Sequence, residues 1–168
     1  LNEVAEARAK GGGAARRRLL RARGTEVAYG SVEAFAEREH AAVYEQARAL
    51  EGLGVRVIRV RPERDGLVSP ERVAEALRPD TAVVAVMAGS NETGAIQPGG
   101  RIVEAVRSAA GGRRPFVHCD AVQALGTIGF DARALGVDGA AFSAHKLGGP
   151  RGVGALFLGR PLRPLALG

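Results

Sequence analysis

The sequence predicts an α/β domain built on a mostly parallel sheet flanked by helices. Three observations carry that expectation. Ala82 to Ala88 is apolar without interruption, as in a strand covered on both faces. Segments with helical signals alternate with short apolar segments, the order that builds parallel sheets through crossover helices. Asn91, Asp120 and Lys146, far apart in sequence, each fall at or just past the end of an apolar segment. That is the edge where sites gather in sheets of this kind.

The elements follow in order. Residues 1–24 form a basic segment rich in Arg, Ala and Gly: Gly11-Gly12-Gly13 interrupts any helix, and Arg16, Arg17, Arg18, Arg21 and Arg23 follow with no acidic residue between. The α/β domain is expected over 25–160, and residues 161–168 open a further connection. Glu26 to Val32 reads as a short strand, and Glu33 to Leu53 as a helix with Phe35, Ala42, Val43, Ala47 and Leu50 on roughly one side. Gly52 and Gly54 end it. Val55 to Val60 mixes apolar residues with Arg, as in a strand with one wet face. Ser69 is a helix N-cap and Pro70 the first helical residue; that helix runs to about Arg78-Pro79. Gly99 to Ala110 is a second connecting helix, Gly111 to Arg114 a loop, Phe116 to Ala121 a strand and Ala140 to Ser143 another, closing an apolar run from Val137 to Phe142. A Gly/Pro turn from Gly148 to Gly152 then reverses the chain into the apolar run Val153 to Leu158.

Composition bounds the function. The chain has 168 residues, 46% hydrophobic and 25% charged, which is globular rather than disordered. Aromatics make up only 4% and Trp is absent, so Ala, Val and Leu must build most of the core. A single cysteine excludes an internal disulfide framework and a cysteine-rich metal site. His118 and Asp120 share a strand face but have no companion ligands, so no metal is expected. No apolar run reaches membrane-span length, and no signal-peptide pattern opens the chain, so a cytoplasmic location is expected. Leu1 in place of an initiating Met fits a piece of a longer protein. The net charge of +6 and pI near 10.6 would suit nucleic acid or other anionic partners. Because the excess is arginine in an Ala- and Gly-rich chain, it reads as composition, and nucleic-acid binding is not expected. The glycine run lacks the Lys-Ser/Thr of a phosphate-binding P-loop.

The chemistry concentrates at Ser143-Ala144-His145-Lys146, where an apolar strand ends in a hydroxyl, an imidazole and an amine. A lysine backed by apolar walls is expected to have a lowered amine pKa. A neutral amine is what Schiff-base chemistry requires. Other readings stand beside this one. Lys146 could open an ordinary surface turn. Asp120 could be a helix N-cap, with Gln123 completing a capping box. Asn91-Glu92-Thr93-Gly94 could be a plain turn with Gly at a positive-φ position. His40 could be an exposed helix residue. Cys119 faces away from Asp120 on its strand and reads as a small buried hydrophobe.

Taken together, Ser90-Asn91-Glu92-Thr93-Gly94, His118-Cys119-Asp120-Ala121-Val122-Gln123, Ser143-Ala144-His145-Lys146 and Gly149-Pro150-Arg151-Gly152-Val153-Gly154-Ala155-Leu156 resemble the cysteine desulfurase/selenocysteine lyase family. That family is class V aminotransferase-like and uses pyridoxal phosphate on the large domain of fold type I. The resemblance runs from about Glu39 to Leu158, with four motifs in the family's order. It implies that Lys146 holds the cofactor as a Schiff base and shuttles protons. Asp120 would pair with the pyridinium nitrogen. Gln123 would hydrogen-bond the phenolic oxygen, and Asn91 would sit beside that oxygen and the substrate carboxylate. Ser143 and His145 would bind the phosphate. His40, in Glu39-His40-Ala41, would stack on the ring and assist proton transfer.

The resemblance further implies a homodimer, a cysteine or selenocysteine substrate and a sulfur-acceptor protein, as in iron–sulfur cluster assembly. Two family features have no match here: a Gly-Ala-Thr phosphate loop ahead of the Glu-His segment, and the small C-terminal domain carrying the reactive cysteine. Turnover by this chain alone is therefore expected to be weak. Ser90 stands where the family usually has Asn. Another class V activity, such as an aminotransferase or epimerase, and an inactive binding or assembly module remain open alternatives.

Overall fold

The computed structural model describes residues 40–52 and 54–161 in full and the backbone of 32–36. The basic segment 1–24, nearly all of the strand expected at Glu26 to Val32, and the connection 161–168 beyond Pro161 lie outside the described residues.

Six strands form one sheet: β1 (Val32–Ala36), β2 (Arg56–Val60), β3 (Thr81–Met87), β4 (Phe116–Asp120), β5 (Gly139–Ser143) and β6 (Gly154–Leu158). Their spatial order is β2-β1-β3-β4-β5-β6. All neighbours pair in parallel except β5 and β6, which form an antiparallel hairpin. Between them lie α1 (Ala41–Gly52), α2 (Pro70–Ala76), α3 (Gly99–Ala109) and the short α4 (Ala132–Leu135). This is the α/β architecture the sequence predicted.

One element departs from expectation. The helix expected over Glu33 to Leu53 begins only at Ala41, because residues 32–36 form β1. Val-Glu-Ala-Phe-Ala has no strong local preference for strand. It lies between two partners, with Val32 aligned to Arg56 on one side and to Thr81 on the other. Two ladders of backbone hydrogen bonds outweigh the weak helical bias of Ala and Glu. Phe35 therefore belongs to a strand and not to the apolar side of α1.

The local signals for α2 act as read. Ser69 Oγ accepts the Arg72 N–H at 3.2 Å, and Pro70 opens the helix. The helix α4 was missed, although its signals are local. Asp131 Oδ1 accepts the N–H groups of Arg133 and Ala134, and Gly136 closes it at φ +73°.

Helices cover both faces. On one, Ala47 of α1 packs with Ala85 of β3, flanked by Val43 and Val57. On the other, α2 and α3 bring Val73, Ile102 and Val106 onto Val84, Val86 and Val117. Ile102 and Val106 are fully buried, which stabilises the fold by about 1.5–3 kcal/mol for each side chain. The faces follow from the crossovers. The connection β1–α1–β2 moves one way along the sheet and the later ones move the other way, so right-handed crossovers put their helices on opposite faces. The reversal falls between β1 and β3, and ligand crevices open at the carboxyl ends beside such a reversal.

Close packing at Gly139 gives a testable consequence. A Cβ there would sit 2.9 Å from Cε1 and Cζ of the Phe116 ring and 3.5 Å from His118 Nδ1. Phe116 is buried and carries the Arg160 guanidinium 5.3 Å above its ring. Gly139→Ala is expected to lower stability by about 1–3 kcal/mol, the usual cost of overpacking. A shifted denaturation midpoint at unchanged m value would show it.

Candidate active site

Parallel pairing brings the ends of β3, β4 and β5 into line. Met87 aligns with Asp120, and Asp120 with Ala141, two residues before Ser143. The carboxyl edge of the sheet therefore carries Asn91 beyond β3, Asp120 and Gln123 at and beyond β4, and Ser143, His145 and Lys146 at and beyond β5. His40 stands beyond β1 at the same edge, next to the topological reversal.

Asp120 is the buried member, 7% exposed. Its Oδ1 accepts the Val122 N–H at 3.0 Å. This is an Asx turn and not the helix N-cap that was one reading, because residues 122–127 form successive turns with no helix to cap. Gln123, half-buried in those turns, closes no capping box. Oδ2 of Asp120 has no hydrogen-bond donor among the described residues. A buried carboxylate with an open oxygen is an acceptor awaiting a partner, and a protonated ring nitrogen meets that requirement. In this respect the donor set fits pyridoxal phosphate.

His118 lies two residues before Asp120 on the same face of β4. Burial pushes its imidazole pKa below the ordinary value, and the Asp120 charge opposes that only in part. Among the described residues no three His, Cys, Asp or Glu side chains gather as metal ligands. Cys119 points to the opposite face and is buried in the apolar cluster with Val84 and Val117.

Ser143 is the last residue of β5, and its Oγ lies 2.7 Å from His145 Nδ1. His145 and Lys146 follow on a single 3₁₀ turn, Ala144–Leu147. Lys146 is exposed on that turn. The apolar walls expected around its amine are therefore not present among the described residues. A 3₁₀ turn directly after a strand swings these side chains out beyond the sheet edge instead of leaving them in its plane.

Asn91 sits at the exposed tip of a short reversal that follows β3. The Ser90 N–H donates to Ala95 O and the Gly94 N–H to Ser90 O, while Ser90 Oγ accepts from the N–H groups of Glu92 and Thr93 at 3.3 and 3.4 Å. Ser90, the departure from the family pattern, thus caps the turn that presents Asn91. His40 caps α1: its Nδ1 accepts the Ala42 N–H at 3.2 Å, and its carbonyl accepts from Val43 and Tyr44. It is exposed and directly precedes the helix.

A family model, Aminotransferase class-V, matches residues 10–168. The chain belongs to the class-V aminotransferase family. Among curated class-V relatives, the cysteine desulfurase IscS of Anaeromyxobacter dehalogenans (strain 2CP-C) is 48% identical over 125 residues, 74% of this chain and 30% of that protein. The cysteine desulfurase IscS of Psychromonas ingrahamii is 42% identical over 128 residues, 76% of this chain and 31% of that protein. The chain therefore spans about 30% of the length of the curated relatives it matches. Among solved structures, a NifS-like protein superposes with a TM-score of 0.79 at 34% identity, covering 91% of this chain and 40% of that one. SspA in complex with cysteine superposes at 0.75 with 29% identity, over 82% of this chain and 40% of that one. The mostly parallel sheet flanked by helices is thus the large-domain architecture of fold type I.

Two residues with consequences for the site and its frame escaped the sequence reading. Asp138 lies inside the otherwise apolar run Val137 to Phe142, where a lone acid is itself a signal. Gln97 gave no signal, since its partners lie about thirty residues upstream.

Proposed function

We propose that this chain is the cofactor-holding part of a pyridoxal phosphate-dependent cysteine desulfurase. Such an enzyme takes sulfur from cysteine, or selenium from selenocysteine, and leaves alanine. The observation that carries the reading is the open Oδ2 of buried Asp120 at the same sheet edge as Lys146 and the Ser143–His145 pair. The cysteine desulfurase relatives support the substrate class, as does the neighbour bound to cysteine.

Pyridoxal phosphate, when bound, supplies an electron sink for the bond broken at the substrate's Cα. The residues of this chain would hold it and would move protons beside it. Lys146 Nζ is the amine that would hold the cofactor covalently and would serve as the base toward the substrate's Cα proton. Asp120 would receive the ring nitrogen at its open Oδ2. Gln123 would donate to the phenolic oxygen, and Asn91, beside it, would help hold the substrate carboxylate. Ser143 Oγ and the His145 ring would hold the phosphate. His40 would lie against the ring and would pass a proton. Cys119, buried on the far face, is not the sulfur acceptor. That role falls to a thiolate elsewhere in the complete protein, which would work as a cytoplasmic homodimer and pass sulfur to an acceptor protein.

Pyridoxal phosphate titration followed by borohydride reduction and peptide mapping tests the reading. A saturable, coloured complex with label on Lys146 is expected. Label spread over amines in proportion to their exposure, with no saturation, would sink it.

A further inference from the structure

We infer that Gln97 is a positioning residue that fixes the turn carrying Asn91. The inference rests on the reading of the site as cofactor-holding. The turn is a short reversal closed by Gly89 bridging to Ile96 and by the Gln97 N–H donating to Ala88 O at 2.9 Å. Its tip, with Asn91, is exposed, and the turn's own backbone hydrogen bonds close it.

Gln97 adds a long-range tie. Its Oε1 accepts the Val68 N–H at 2.8 Å, and its Nε2 donates to Gly66 O at 2.9 Å. One amide thus spans two backbone groups of the loop between β2 and α2, 29 and 31 residues upstream. Both bonds are partly buried. A planar amide making one donor and one acceptor contact to the same strand of backbone has little freedom left.

The anchor is itself rigid. Val68 is 2% exposed in the core, Ser69 caps α2, and the Glu63 N–H closes the loop on Leu67 O. Gly66 adopts φ +83°, where an added Cβ would meet Ala95 Cβ at 3.3 Å and Thr93 Oγ1 at 3.6 Å. Loop and turn therefore meet closely beside the Gln97 bonds. Among the described residues Gln97 makes no hydrogen bond to Asn91, Asp120, Gln123, Ser143, His145 or Lys146. It acts through Asn91, by limiting where the tip can lie relative to Asp120.

The test compares Gln97→Ala, Gln97→Glu, Asn91→Ala and the double variant in this chain. Glu keeps the acceptor for Val68 and loses the donor to Gly66, so it serves if Ala fails to fold. The first readout is amide hydrogen exchange. Faster exchange at Ser90, Gly94 and Val68 by about tenfold is expected, from two lost hydrogen bonds, with α3 and β4 amides unchanged. Unchanged exchange at Ser90 and Gly94 would overturn the inference. The second readout is pyridoxal phosphate affinity. Gln97→Ala should weaken it severalfold in the parent chain and not at all in the Asn91→Ala background. An equal loss in both backgrounds, or no loss despite faster exchange, would reduce Gln97 to a structural residue. If the parent chain takes up no cofactor, the reading of the site fails by that result alone, and the exchange data still decide whether Gln97 fastens the turn.

Discussion

Lys146→Ala is expected to abolish the borohydride-stable pyridoxal phosphate adduct of this domain. The composition makes the experiment unusually clean. The 24 basic side chains comprise 22 arginines and only two lysines, Lys10 and Lys146. A guanidinium stays protonated at any working pH and cannot form the covalent link. The only amines able to carry label are therefore Lys146, Lys10 and the chain terminus. Lys10 serves as an internal control for unselective modification. Lys146→Arg keeps the charge on the 3₁₀ turn and should lose the adduct as completely as Lys146→Ala. In a protein extended to the length of the cysteine desulfurase relatives, turnover should fall by roughly 10⁴-fold or more, as when an enzyme's covalent group is removed. Retained label within the peptide spanning 137–161 of Lys146→Ala would contradict the assignment.

Asp138→Ala is expected to destabilise the fold by about 2–4 kcal/mol, because it leaves the buried Val117 N–H without an acceptor and removes the charge-assisted hydrogen bonds from Arg107 and Arg114. Asp138 is 2% exposed and lies at the amino end of β5, away from the candidate site. Its Oδ2 accepts from Arg107 Nη2 at 2.6 Å and from the Val117 N–H at 2.8 Å, while Oδ1 accepts from Arg114 at 3.3 Å and lies 3.9 Å from Arg160 Nε. Arg107 also donates to Pro115 O, and Arg160 to Arg114 O. One carboxylate thus ties the start of β4 and the start of β5 to the end of α3 and the end of β6. Asp138→Asn keeps an acceptor for Val117 but loses the charge facing three guanidinium groups, so it should fall between Ala and the parent. Thermal or denaturant midpoints measure both.

The same group sets an acid limit. Burial raises the Asp138 pKa, but the Val117 hydrogen bond and the Arg107 hydrogen bond and charge outweigh it, and the net value lies below the ordinary 3.8. The folded state therefore holds the proton less tightly than the unfolded state. The stabilisation is fully present above about pH 4 and is lost as pH falls through the folded value. Parent and Asp138→Asn midpoints should converge in strong acid and stay apart near neutrality. A constant gap down to pH 2 would refute the account.

How much of this was legible in the sequence follows from the range of each interaction. Ser69 and Pro70 start α2 through contacts within three residues, and β3 is a covered strand because Ala82 to Ala88 offers no polar face. The hairpin into β6 follows from a Gly/Pro turn between two apolar runs. The order of Asn91, Asp120, Ser143, His145 and Lys146 along one edge follows from parallel strands whose ends align. These features are local, or repeat with the strand, so the sequence alone determined them, together with the family.

The tertiary structure decided the rest. Residues 32–36 became β1 because β2 and β3 pair with them on either side. Asp120 closes an Asx turn instead of capping a helix, because the chain beyond it winds into turns that pack Ala121 and Ala124 into the core. Lys146 lies exposed on a 3₁₀ turn, a position that apolar flanks in the sequence did not reveal. Asp138 and Gln97 find their partners 21 to 31 residues away. Such contacts exist only once helices and strands have docked, because closing loops of that length costs chain entropy that only the assembled core offsets. A sequence read window by window contains no record of them.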